Sequence, residues 1–147
     1  MRIKNIWDRS CLVDQIEIIS HPDNKKTIER ISDYLNHQPR ITVTDIRTNR
    51  SKLVELIDIE AIISLGHISK VITLDGSQFH LNKRLKDLFI LEEKFLYRIN
   101  QSIILNLSNV ESFKTGQYSR LEVVTTNKNT YIVSRHYAKK IKERLLW

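Results

Sequence analysis

Phe95-Leu96-Tyr97-Arg98-Ile99-Asn100-Gln101-Ser102-Ile103-Ile104-Leu105-Asn106 places two short aromatic and aliphatic runs on either side of a polar centre. Such runs suit half-buried strands, and the polar residues between them suit a loop. The stretch predicts strands over Phe95–Ile99 and Ser102–Leu107. Working towards the C-terminus, Val110–Phe113 reads as another strand. Leu121–Thr126 and Thr130–Val133 make a hairpin around Asn127-Lys128-Asn129. Ser134 is a plausible N-cap for a final helix. On that helix Tyr137, Ile141 and Leu145 recur every four residues and would dock on the sheet.

Working towards the N-terminus, Leu85, Leu88 and Phe89 give a helix one apolar face, with Asn82 as its cap. Ile68–Asp75 runs as a strand into Asp75-Gly76, a dipeptide suited to a type I′ hairpin turn, and Gln78–Leu81 returns. Ile41–Ile46, Lys52–Ile57 and Ile59–Ser64 read as further strands. Before them, Leu12–Ile19 is apolar and β-branched and reads as a strand that carries the neighbouring Cys11 as a small apolar residue. Ile28, Ile31 and Leu35 form one stripe of a helix capped by Asp23 or Asn24 and stopped by Pro39. The fold class is therefore α+β, mostly β with helices, with about eight to ten strands. Residues 1–40 form a short β-α extension, and residues 41–147 form the main domain.

The chain has 147 residues, enough for one domain with an extension. No apolar run approaches the roughly 18 residues that span a bilayer. The first dozen residues are too polar for the core of a signal peptide, so a cytoplasmic location is expected. The single cysteine excludes an internal disulfide and a thiolate metal site. The three glycines lie in separate turns and assemble no phosphate loop. The five histidines do not share helical metal-ligand spacing. Glu92-Glu93 reads as a solvated helix end, because adjacent helical residues point in different directions. These absences argue against an enzyme, a cofactor and a small-molecule substrate. The net charge of +7 suits a polyanion, nucleic acid before membrane.

Three motifs make the reading specific. The stretch Phe95–Asn106 resembles the signature of the LytTR DNA-binding domain, in which an aromatic leads to Arg, often His, a variable polar residue, Ser, an aliphatic run and Asn. Tyr131-Ile132-Val133-Ser134-Arg135-His136-Tyr137, followed by Lys139–Leu145, resembles that family's closing strand and helix. Asp58-Ile59 and the hairpin at Asp75-Gly76 are similar to its opening, and Asn82–Leu91 to its internal helix. Asn100 departs from the pattern, standing where histidine is common. The resemblance covers roughly Ile41 to Trp147. It implies an elongated β-rich body that contacts double-stranded DNA from loops. It also implies a short member without a receiver domain, since about forty residues precede Ile41. Some short members answer to a membrane-protein regulator, and a homodimer would suit paired half-sites.

DNA binding needs phosphate contacts for affinity and base-edge contacts for specificity. Arg135, at a strand-to-helix junction, is the leading base reader, since a guanidinium can bond guanine O6 and N7 together. Ser134 and His136 flank it, and the helix start beside Ser134 suits a phosphate. His67, with Ser69 and Lys70, lies at a turn that the resemblance assigns to DNA. Asn100 and Gln101 occupy the second loop, where an amide can pair with adenine; Asn100 could instead satisfy backbone groups at a strand bend. Arg98, Lys139 and Lys140 are phosphate candidates, ahead of Lys142 and Arg144; Arg84 could add to the same field. The rival reading is a module of LytTR shape that binds a protein through Met1–Ile46. RNA binding is the weaker third, since no aromatic-rich strand motif is present and only Tyr118 interrupts its polar loop.

Overall fold

The structure is a computed structural model that describes residues 2–13, 15–36 and 39–146. It divides into two units, residues 1–38 and 39–147. In the first, a 3-10 turn at Pro22–Asn24 leads into helix α1, Lys25–Asn36. The cap is His21, whose Nδ1 accepts from the Asp23 amide, and not Asp23 or Asn24. Pro22 at the first helical position sets the start one turn earlier than expected. The expected strand at Leu12–Ile19 is absent among the described residues; Asp14 lies outside them. Extended backbone becomes a strand only when a neighbour supplies its hydrogen bonds, and no described segment pairs with this one. Cys11 accordingly is exposed and on no strand.

The second unit holds ten strands: β1 Arg40–Asp45, β2 Ser51–Glu55, β3 Ile59–Leu65, β4 Ile68–Thr73, β5 Gln78–Leu81, β6 Leu96–Arg98, β7 Ile103–Asn106, β8 Val110–Thr115, β9 Leu121–Thr125 and β10 Thr130–Val133. Helix α2, Arg135–Leu145, closes it. All pairings are antiparallel. A large sheet runs β2-β1-β5-β4-β3-β7-β6, and a small one runs β10-β9-β8. One face of the large sheet buries Val43, Ile62, Val71 and Phe79 against Leu85, Leu88 and Leu91. Across the other face, Ala61, Ile99 and Leu105 meet Leu121, Val123 and Val133 of the small sheet and Ile141 of α2. Tyr137 and Leu145 pack on this second cluster, as the four-residue spacing predicts.

Two expectations change in form. The internal helix, Leu85–Lys94, is a 3-10 helix with Arg84, not Asn82, at its N-cap and no side-chain cap bond. Leu85, Leu88 and Leu91 are all buried, and their spacing of three matches three residues per turn, which keeps one apolar row on the sheet. The Phe89 side chain lies outside the described set. The β4–β5 turn is not type I′, which needs positive φ at both central residues. Gly76 alone has it, at +84°. The Gly76 amide bonds the Thr73 carbonyl at 3.0 Å and the Thr73 amide bonds the Ser77 carbonyl at 3.0 Å, giving a three-residue loop with glycine at its left-handed position.

A buried carboxylate ties the two sheets together. Glu60 is fully buried and is the extra residue of a bulge between Ile59 and Ala61 on β3. The bulge lets Ile59 and Ile62 face the same cluster despite their odd spacing. It also turns Glu60 to the small sheet, where Thr125 Oγ1 donates at 2.7 Å, Asn129 Nδ2 at 2.8 Å and Tyr131 Oη at 2.9 Å. Burial, then the Glu60 carboxylate, push the Tyr131 phenol above its ordinary pKa.

Candidate nucleic-acid interface

Register brings three loops to one end of the second unit. The β3–β4 turn is Gly66-His67, closed by the Leu65–Ile68 pair. Positive φ falls at Gly66 alone, the pattern of a type II′ turn. Strand β7 lies antiparallel to β3 with Ile103 opposite Ile63, so the β6–β7 loop, residues 99–102, reaches the same end. The Ser64 amide bonds the Ser102 carbonyl at 2.8 Å and fixes the first two loops together. The third loop is the β10–α2 junction. There the Ser134 amide bonds the Ile99 carbonyl at 2.9 Å, and Asn100 Nδ2 donates to the Ile132 carbonyl at 3.0 Å. Loops from both sheets are thus held by direct hydrogen bonds.

The side chains of this end divide into those that build it and those that remain available. Asn100 builds: besides its bond to Ile132, its Oδ1 accepts from the Ser102 amide at 2.8 Å. Its role is the backbone one left open above. Arg98 also builds, with Nε on the Asn100 carbonyl at 3.1 Å and Nη2 on the Gln101 carbonyl at 2.8 Å. Ser69 is fully buried, and its hydroxyl donates to the Lys83 carbonyl at 2.7 Å, so its side chain cannot meet a ligand at the surface. Its place on β4 points inward because burial alternates along that strand. Lys140 pairs with Glu92 at 2.9 Å and, with Arg144, lies over the Tyr97 ring. Ser134 stands at the N-cap of α2, yet its side chain makes no cap bond.

The available groups are Arg135, Lys139 and Gln101, exposed and without a side-chain hydrogen bond or ion pair among the described residues. Exposed His136 meets the Tyr137 ring edge-on at 4.8 Å. Exposed His67 accepts at Nδ1 from Arg84 Nη2, which leaves its Nε2 without a partner among the described residues. Lys70 is half-buried on β4. Sequence reasoning gave Lys83 no role; it reaches this end because Ser69 pairs with Leu81 and binds the Lys83 carbonyl. Six basic and six acidic residues cancel within residues 1–38, so the whole excess of +7 belongs to the unit that carries these loops. A concentrated positive field draws a polyanion to that unit. Among the described residues no group of three His, Cys, Asp or Glu side chains could hold a metal ion, and no helix is long and apolar enough to cross a membrane.

Comparison with known proteins gives the family of the second unit. The model of the LytTr DNA-binding domain matches residues 49–146. The chain belongs to the LytTR family. Its matched part is a DNA-binding domain, a class that is not an enzyme class, and duplex DNA is the partner that this domain implies. A solved LytTr DNA-binding domain from Bacillus cereus shares the fold at a TM-score of 0.65 and 15% identity, covering 76% of this chain and 100% of that one. A search of curated proteins returned no match. The LytTR match starts at residue 49, so β1 precedes it, although β1 is paired with both β2 and β5 in the large sheet.

Proposed function

We propose that this protein is a transcriptional regulator that reads duplex DNA by sequence, inserting the β10–α2 junction and the β6–β7 loop into the major groove. The observation that carries this reading is the hydrogen-bonded union of three loops from two sheets, with Arg135 and Gln101 exposed beside it and unpaired among the described residues. Ordered loops lower the cost of positioning side chains on base edges. Arg135 would bond guanine O6 and N7, and Gln101 would pair with adenine N6 and N7. Lys139, Lys70 and Nε2 of His67 serve the phosphates or the groove wall. Arg98, Asn100 and Ser69 hold the loops in place. The test is selection of bound sequences from random duplexes, followed by binding of the selected site. Arg135→Ala should cost about 1–3 kcal/mol there and relax preference at one base pair. Equal binding of selected and unrelated duplexes by the wild type would sink the proposal.

Residues 1–40 are proposed as an extension that meets a partner instead of DNA. The charges of residues 1–38 cancel, and Ile3, Ile6, Trp7, Ile16 and Ile19 are exposed. A second copy of the chain and a membrane-protein regulator are the partners in view. Cross-linking of the full chain with and without DNA distinguishes self-association from capture of another protein.

A further inference from the structure

The β8–β9 loop, residues 116–120, also belongs to the reading end. Leu121 at the start of β9 pairs with Thr115 of β8 and with Val133 of β10, the residue just before Ser134. Helix α2 packs against residues 117–119 of the loop. The loop is closed by the Gly116 amide on the Arg120 carbonyl at 2.8 Å and the Arg120 amide on the Gln117 carbonyl at 3.2 Å. At its tip Tyr118 and Ser119 adopt consecutive left-handed conformations, with φ of +57° and +60°. Such backbone is disfavoured for residues with a Cβ, and for an aromatic one above all. The Tyr118 side chain nevertheless stands 81% exposed. Packing therefore does not compensate the strain, and a strained, exposed aromatic is a sign of a ligand contact. Arg120 is exposed beside it without a side-chain partner among the described residues, whereas the nearby Lys114 pairs with Glu122 at 3.8 Å.

We propose that this loop is a further DNA contact, in which Arg120 and the Tyr118 hydroxyl grip the sugar-phosphate backbone beside the groove that Arg135 enters. The inference rests on the groove-reading proposal for its placement. Strands lie about 4.8 Å apart, so a loop centred between β8 and β9 stands roughly 7 Å from the end of β10. The major groove is about 12 Å wide, so a group that far from its centre meets the wall, where phosphates and sugars stand. A phenol hydroxyl and a guanidinium both donate to phosphate oxygens. The contact adds affinity without sequence preference.

The experiment compares Arg120→Ala, Tyr118→Asn and Arg135→Ala in the full chain, on the selected duplex and an unrelated one, from roughly 50 to 200 mM salt. Arg120→Ala should weaken both duplexes alike and make the logarithmic salt dependence shallower by about one. Tyr118→Asn should weaken both by about 3–10-fold, the worth of a hydrogen bond. Its melting temperature should hold or rise, because asparagine accepts the left-handed conformation. Wild-type binding by both loop variants overturns the proposal, as does a loss for Tyr118→Asn matched by a fall in melting temperature. Weakened loop variants with an unchanged Arg135→Ala would uphold the loop contact and remove the groove-reading premise instead.

Discussion

Gln101 and Asn100 are neighbours in one loop with opposite duties. Both ends of the Asn100 carboxamide are spent on backbone groups, at Ile132 and Ser102, while the carboxamide of Gln101 is unpaired among the described residues. Gln101→Ala should leave thermal stability unchanged and cost about 1–3 kcal/mol of discrimination at one base pair. Asn100→Ala should lower stability by roughly 1–2 kcal/mol, by losing the two hydrogen bonds that tie its loop to Ile132 and Ser102. Denaturant melts beside binding titrations separate the two. Glu60 is the third residue of consequence. Its removal in Glu60→Ala strands the Thr125, Asn129 and Tyr131 donors, at a cost of roughly 2–4 kcal/mol in an equilibrium melt. A charged residue among Ile59, Ala61 and Ile62 was visible in the sequence. That it faces three donors was not, because the donors lie some seventy positions away on another sheet.

At the level of elements, the strands and α2 were legible from apolar periodicity, and the turns were less so. Glycine at position 76 announces a turn. The turn's type depends on how many residues leave the ladder, which the partner strand decides. In that turn Asp75 accepts from the Thr73 hydroxyl and the Ser77 amide. These bonds, the Thr73 one first, lower its pKa from 3.8 to about 2. A folded-state pKa below the unfolded value means stabilisation that is complete above the unfolded pKa and lost as pH falls through the folded one. The melting-temperature advantage of wild type over Asp75→Asn should therefore be constant above about pH 5 and vanish between about pH 4 and 2. The segment 85–94 teaches the same lesson in a helix. Its leucines at three-residue spacing fit a 3-10 turn as well as an α-helix, and the sheet beneath them selected the tighter form.

For the whole molecule, both buried clusters are drawn from residues 41–145, and the described residues before 39 contribute to neither. A chain of residues 39–147 should therefore melt cooperatively and keep its affinity for the selected duplex within about threefold of the full chain's. A threefold change is about 0.7 kcal/mol, within the usual range for residues outside a core. Circular-dichroism melts and titrations at one salt concentration check this. Loss of cooperative unfolding would make the extension part of the core.

The sequence by itself determined the strand-rich class, the order of the elements, the closing amphipathic helix and, through three spaced motifs, the LytTR likeness. These are carried by local periodicity and residue type, which a single chain displays in full. Tertiary structure alone decided which polar residues remain available. Asn100, Arg98 and Ser69 look as suitable for DNA as Gln101 and Arg135 do, until their partners at Ile132, Gln101 and Lys83 are seen. It also decided that the described residues of Leu12–Ile19 form no strand, since a β-rich composition cannot supply a neighbouring edge. The stretch Phe95–Asn106 carries both lessons: its pattern announced two strands and a loop, and only its contacts with β3 and β10 assigned each loop residue its work.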